Sequence, residues 1–181
     1  MAAYLSLAIL VSLLAAAAAS DHGDYSVSSH PHSGGGGGEK KLVVKVEGMV
    51  YRQSCAHRNT WRLDGAGPLP GAKVTVTCRD RKNRVMAWRT AKADRSGYFL
   101  ADFGEGPPAA AYLKGDPAKA CFVRLLASPD RKCDDLTTVN HGIAGALLRH
   151  EGKGSPAQGY VIYAAGPLAF RPRKCAPTRR Y

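Results

Sequence analysis

The chain contains none of the short motifs that organise the common catalytic sites. It has no G-x-S-x-G elbow, no H-E-x-x-H pair, no P-loop and no Rossmann glycine pattern. The hydrolase, zincin, nucleotide and dinucleotide chemistries these motifs serve have no foothold, and no enzymatic activity is expected. Asn-x-Ser/Thr sequons are missing too, so N-glycosylation is not expected. Beyond the first twenty residues, no apolar run reaches the ~18 residues of a membrane span. Acidic residues are few, 14 Asp and Glu against 26 Lys and Arg. Cysteine is odd in number: five residues, so pairing leaves at least one thiol over.

The start of the chain sets the compartment. "LSLAILVSLLAAAAAS" is an apolar run closed by small residues and followed by the polar "DHGDYS". Residues 1–20 are therefore expected to be a secretory signal peptide, cleaved after Ala19 or Ser20, although "MAAY" carries no Lys or Arg. The alternative, a membrane anchor, is disfavoured by marginal length and the closing alanines. Secretion implies an oxidising environment, in which cysteines form disulfides rather than metal or cytosolic redox sites. Residues 21–41, with five consecutive glycines, read as a flexible leader that buries too little apolar surface to order itself. Its His22, His30 and His32 form a weak candidate Zn²⁺ or Cu²⁺ site. Cleavage after Ala19 would expose Ser20-Asp21-His22, a square-planar Cu²⁺ or Ni²⁺ site, whereas cleavage after Ser20 would remove it. The simpler reading is a polar leader with no cofactor.

Charge is the strongest compositional signal. Residues 42–181 hold 24 of the basic and 11 of the acidic side chains, a net of +13. The excess gathers in "RDRKNRVMAWRTAKADR" (Arg79–Arg95) and in the tail from Arg171. Such a surface attracts polyanions. Outside a cell these are acidic polysaccharides or anionic headgroups rather than nucleic acid; the bland alternative is a surface that only maintains solubility.

The apolar pattern is short and alternating. Val44, Val46 and Val50 fall on one face of "LVVKVEGMVY", and Val74, Val76 and Cys78 on one face of "AKVTVTC". "RVMAWRTA", "GYFLADF", "CFVRLLA" and "GYVIYAAGPLAF" continue the series, separated by Gly, Pro, Asn and Asp turns. Gly97 in "DRSGYF" suits a turn that needs a positive φ. The expected fold is all-β: an antiparallel β sandwich or small barrel of about seven strands, linked by disulfides. Only "PPAAAYLKGDPAKA" has room for a helical turn.

Five ordered stretches, "VEGMVYRQSC", "GPLPGAKVTVTC", "SGYFLADF", "KACFVRLLASPDRKCDDLTTVNHGIAGALL" and "YVIYAAGPLAFRPRKC", carry a resemblance. Residues 42–175 resemble the pollen Ole e I allergen/extensin-like family. They are nearest to the cysteine-containing C-terminal (PAC) domain of plant proline-rich and arabinogalactan cell-wall proteins. The family has Tyr-Cys-x-x-Cys and six cysteines; here Arg52 stands at the first of those positions. The resemblance implies Cys55–Cys175 and Cys78–Cys121 disulfides, with Cys133 a free thiol whose family partner is the position of Arg52. Arg131 and Lys132 would favour the Cys133 thiolate, and an intermolecular disulfide, if the thiol is exposed; the alternative is an inert, partly buried thiol. The proline-rich region of longer family members is absent from the sequence, which has the His/Gly leader in its place.

The resemblance also implies binding of pectic polysaccharide and of wall O-glycoproteins. The residues offer a surface for it. Arg79, Arg81, Lys82, Arg84 and Arg89 surround one expected turn, with Trp88 among them, and Arg forks pair well with carboxylates. Trp61 and Tyr98 would add faces for sugar rings if exposed, the alternative being that both tryptophans are core. Asp134-Asp135 is a poor carboxylate pair, because neighbours on an extended chain diverge, and a Cys133/His141 nucleophile pair is a coincidence of composition. The functional expectation is a secreted, non-catalytic cell-wall protein of the apoplast that binds acidic or pectic polysaccharide, or wall glycoproteins, through a basic face. The alternative is a soluble apoplastic signalling or defence protein that binds a receptor or an anionic membrane. Residues 176–181 form a basic C-terminal tail.

Overall fold

In the computed structural model, which describes residues 42–104 and 115–176, the first strand, β1 (Val43–Arg52), is the hub. Val44, Val46, Gly48 and Val50 are buried and alternate with half-buried Lys45, Glu47, Met49 and Tyr51. The pleat sends successive side chains to opposite faces, so a period of two in the sequence becomes an inside and an outside. β3 (Lys73–Arg79) buries Val74, Val76 and Cys78 in the same way. β5 (Tyr98–Asp102) buries Phe99 and Ala101, and β6 (Cys121–Ala127) buries Cys121, Val123 and Leu125. With Phe103, Leu168 and Phe170 these residues make one core.

The remaining strands are β2 (Gly67–Pro68), β4 (Val85–Lys92), β7 (Asp135–Leu136), β8 (Ala146–Ser155), β9 (Tyr160–Ala165) and β10 (Leu168–Arg171). A short α-helix, α1 (Pro117–Ala120), precedes β6; Asp116 caps it by accepting the Ala118 N–H at 2.9 Å. The ladder runs β4-β3-β6-β8-β9-β1-β10-β7, with β2 and β5 also paired to β1. Strand β1 changes partners along its length. Its first half lies between β9, in parallel, and β5, antiparallel. Its last residues lie between β10, in parallel, and β2, antiparallel.

An all-β, disulfide-linked fold is therefore what the chain adopts. Its finer form differs from a purely antiparallel arrangement of about seven strands. Eight described strands have four residues or more, two have only two, and the sheet is open and mixed. The parallel pairs arise because β9 and β10, at the end of the chain, return to flank β1 at its beginning. Gly97 sits at φ +80°, and a Cβ there would lie 2.6 Å from the Val50 carbonyl oxygen, so the turn before β5 needs glycine.

Cys55 is joined to Cys175 with Cα atoms 5.7 Å apart, and Cys78 to Cys121 with Cα atoms 3.9 Å apart. The second pair occupies one register position between β3 and β6. Cys133 is free and buried in the core. The expected signal peptide (1–20), the leader (21–41) with His22, His30 and His32, and residues 177–181 of the tail lie outside the described residues.

Candidate functional site: the outer face of β4, β3, β6 and β8

The Cys78–Cys121 bridge fixes the phase of four strands. Because Cys78 and Cys121 face inward, their alternating neighbours Thr75, Thr77, Phe122 and Arg124 face outward. Register then aligns side chains from distant parts of the sequence. Thr77 is opposite both Trp88 on β4 and Phe122 on β6, and Phe122 is opposite Leu147 on β8. The next row is Thr90–Thr75–Arg124, and Lys92 is opposite Lys73 beyond it. Trp88 is 59% exposed and Leu147 67%.

Two guanidinium groups rest on one ring. The Arg79 Cζ lies 5.1 Å and the Arg124 Cζ 4.7 Å from the centroid of Phe122. The electron-rich face of the ring attracts both cations. Arg124 is oriented by its Nε–H, which donates to the Ala144 carbonyl at 2.9 Å. Arg79 donates through one terminal nitrogen to Asn83 Oδ1 at 2.9 Å, while its buried Nε has no protein partner. Behind the ring, Gly145 at φ +130° makes room: a Cβ there would stand 2.7 Å from Phe122 Cδ2. At the far end, a shallow cavity of about 290 Å³ is lined by Lys73, Thr90, Ala91, Lys92 and Leu126.

The described carboxylates are committed elsewhere, and none forms an ion pair with Arg79, Arg124, Lys73 or Lys92. Asp130 faces Arg52, Asp134 holds Arg173, and Asp135 lies between Arg58 and Arg171. Part of the basic excess near the C-terminus is thus neutralised around the Cys55–Cys175 bridge, whereas on the outer face no described carboxylate neutralises these four cations.

The residues expected to act together do not all meet. Arg79 and Trp88 lie on this face, and Arg81 and Lys82 are exposed at the tip of the β3–β4 hairpin. Arg84 is tied to Asp80 at 2.7 Å. The Arg84 backbone N–H, followed by its guanidinium, holds the Asp80 carboxyl below its ordinary range. Arg89 falls on the opposite phase of β4 from Trp88 and lies over the buried ring of Phe103, 5.5 Å from its centroid. The alternative that both tryptophans are core is overturned. Ala87 takes the inward position opposite Cys78, forcing Trp88 outward, and Trp61 is 67% exposed.

Tyr98 belongs to a different cavity, of about 480 Å³, lined by Glu47, Tyr51, Arg149, Lys153 and Pro167. Its hydroxyl donates to Glu47 Oε2 at 3.0 Å, and burial together with that carboxylate pushes its pKa up to about 12. Lys153 donates to Glu47 Oε1 at 2.7 Å, and Glu151 pairs with both Arg149 and Lys153, so the charges around this cavity are matched by ion pairs. Cys133 and His141 do not form a pair: the thiol is buried, while His141 is exposed and meets Trp61 edge-on at 6.3 Å.

Phe122, Arg124 and Leu147, with Lys73, Thr75, Thr77, Thr90 and Lys92, are candidate-site residues that the sequence reading missed. The signal for two of them was present in "CFVRLLA": a cysteine bridged into the core puts the first and third residues after it outside.

No family model matches the chain. It is 30% identical over 138 residues to non-classical arabinogalactan protein 30 of Arabidopsis thaliana, across 73% of this chain and 54% of that protein. It is 31% identical over 112 residues to the pistil-specific extensin-like protein of Nicotiana tabacum, across 58% of this chain and 22% of that protein. Proline-rich protein 3 of Arabidopsis thaliana is 27% identical over 116 residues, 61% of this chain and 34% of its own length. The chain thus spans about half the length, or less, of these curated relatives. In fold it is similar to the major plantain pollen allergen Pla l 1, with a TM-score of 0.53, 20% identity, and 75% of this chain and 98% of the allergen covered. In sequence and in fold, the chain resembles the Ole e I-like and extensin-like proteins of plant cell walls and pollen.

Proposed function

We propose that the chain is a secreted, non-catalytic plant cell-wall protein whose domain, residues 42–175, binds acidic polysaccharide through the outer face of β4, β3, β6 and β8. Pectic chains are the preferred ligand class, with the glycans of wall O-glycoproteins as a related one. The observation that carries this reading is a cationic face with exposed aromatic and aliphatic side chains and, among the described residues, no ion-paired carboxylate at Arg79, Arg124, Lys73 or Lys92. Guanidinium groups supply planar forks for carboxylates. Trp88 offers a ring for the apolar side of a sugar, and Thr75, Thr77 and Thr90 supply hydroxyls that both donate and accept. The arabinogalactan, proline-rich and extensin-like names of the sequence relatives agree with this setting.

The test is retention of the secreted, oxidised protein on de-esterified pectin, methyl-esterified pectin, galactan and an unrelated polyanion. It is run at about 0.05 and 0.15 M salt, between which screening changes substantially. Retention on pectic ligands at the higher salt is the expected result. Equal binding to all polyanions, lost at the higher salt, would leave only generic charge and turn attention to a protein receptor or an anionic membrane.

A further inference from the structure

Arg79 and Arg124 lie over the same ring, and their distances to its centroid put the two cations less than about 10 Å apart, within the range of a Debye length. Neither has a carboxylate partner among the described residues. Two like charges gathered on one ring leave a concentrated positive field, and the unpartnered Arg79 Nε adds a buried donor. Arg124 is held in place by the Ala144 carbonyl, and the ring itself by close approach to Gly145. The groups are therefore oriented before any ligand arrives, which removes part of the ordering cost of binding.

The surroundings add a direction. Trp88, Thr77, Phe122 and Leu147 form a row perpendicular to four neighbouring strands. At ~4.8 Å per strand the row is about 14 Å long, the length of roughly three linked pyranose rings. We propose that Arg79 and Arg124, flanking Phe122 along the strands, form a subsite for the carboxylates of a short uronosyl run. Trp88 and Leu147 hold the apolar faces of the flanking sugar rings, so the face reads a short run of uronosyl units rather than charge alone. A second copy of this chain is a poor occupant, because it would bring the same uncompensated cations to the face. This inference rests on the acidic-polysaccharide reading and refines it to a subsite and a ligand length.

The experiment is calorimetric binding of oligogalacturonides of one to six units to the full secreted chain at about 0.15 M salt, with inorganic polyphosphate and a neutral galactan oligomer as comparators. Affinity is expected to rise steeply up to about three units and then level off, following the length of the row. Arg124→Gln should weaken the trimer about tenfold or more, as loss of a charge-assisted contact does. Trp88→Ala removes an exposed side chain, so folding is not at stake; it should flatten the length dependence while leaving polyphosphate binding unchanged.

Wild-type uronide binding that neither substitution alters would overturn the subsite and leave the wall-binding reading standing. Polyphosphate of equal charge binding as tightly as the trimer would also overturn it, since shape would then contribute nothing. Absence of uronide and pectin binding in the wild type would overturn both.

Discussion

The thiol of Cys133 points at the backbone carbonyl of Phe170, with Sγ 3.5 Å from the oxygen. That oxygen also accepts the Gln53 N–H at 2.8 Å. The odd cysteine is thus built into the junction where β1 meets β10. Burial, followed by the nearby Asp130 carboxylate, pushes its pKa up to about 11. The adjacent Arg131 and Lys132 do not make it a reactive thiolate, because the side chain is only 1% exposed. An intermolecular disulfide through Cys133 would require this junction to open.

The folded protein is therefore expected to be inert toward a thiol reagent at pH 7–8. One equivalent should react in denaturant without reductant. Fast labelling of the native protein, or a Cys133-dependent dimer on a non-reducing gel, would contradict the buried placement. Cys133→Ala should retain both disulfides and cost about 1–2 kcal/mol, in line with loss of a small buried group.

Alkaline pH should destabilise the fold in two steps. In the unfolded chain the Cys133 thiol ionises near its ordinary 9.0, whereas the folded state keeps its proton until about 11. Stability contributed by the protonated thiol is complete below the first value and is lost as pH rises toward the second. Tyr98 repeats the pattern from 10.0 to about 12, because its hydroxyl is partly buried and donates to Glu47. Denaturant midpoints measured from pH 8 to 12 should hold up to about pH 9 and fall from there. Cys133→Ala should flatten the earlier part and Tyr98→Phe the later part. Parallel wild-type and mutant curves would show that neither group governs the decline.

The position at which the family resemblance implies another cysteine, that of Arg52, suggests a third test. Arg52 is register partner to Phe170, the residue that Cys133 touches, and its guanidinium lies 3.6 Å from Asp130, three residues before Cys133. Arg52→Cys is expected to pair with Cys133 and abolish the denaturant-exposed thiol. A bridge closing about 80 residues is worth up to about 4 kcal/mol in the chain-entropy model. Thiol titration and denaturant midpoints check both halves. A second free thiol in place of a bridge would mean that the two positions are not within reach.

The strands were legible wherever alternation had a β-branched inner face, as in β1 and β3, where Val44, Val46, Val74 and Val76 are all buried. On β4 the same cue misleads. Met86 and Trp88 look like the core side of "RVMAWRTA", yet Ala87 is inward because its neighbour across the ladder is Cys78. Side-chain size did not set the phase; the disulfide did. The parallel pairing of β1 with β9 and β10 was invisible for a related reason. It joins residues more than a hundred positions apart, and nothing in either segment specifies its partner. The basic cluster was legible as composition, but its division between Arg79 outside, Arg89 over Phe103 and Arg84 on Asp80 depends on register and on a single turn carboxylate.

Gly145 connects fold and proposed site most directly. Its φ of +130° lies in the region that side chains resist, and its missing Cβ leaves space for Phe122, whose Cδ2 and Cγ would otherwise be 2.7 and 3.0 Å away. Gly145→Ala should cost about 1–3 kcal/mol through backbone strain and displacement of the ring. It should also weaken uronan binding, because Arg79 and Arg124 lose the surface they rest on. Phe122→Leu separates the two effects. It keeps the backbone and most of the apolar volume, so stability should change by less than about 1.5 kcal/mol, while uronan affinity drops as it does in Gly145→Ala. Thermal melts and pectin binding of the two variants in parallel make the comparison. If Phe122→Leu binds like the wild type, the ring does not organise the two guanidinium groups, and Gly145 serves the fold alone.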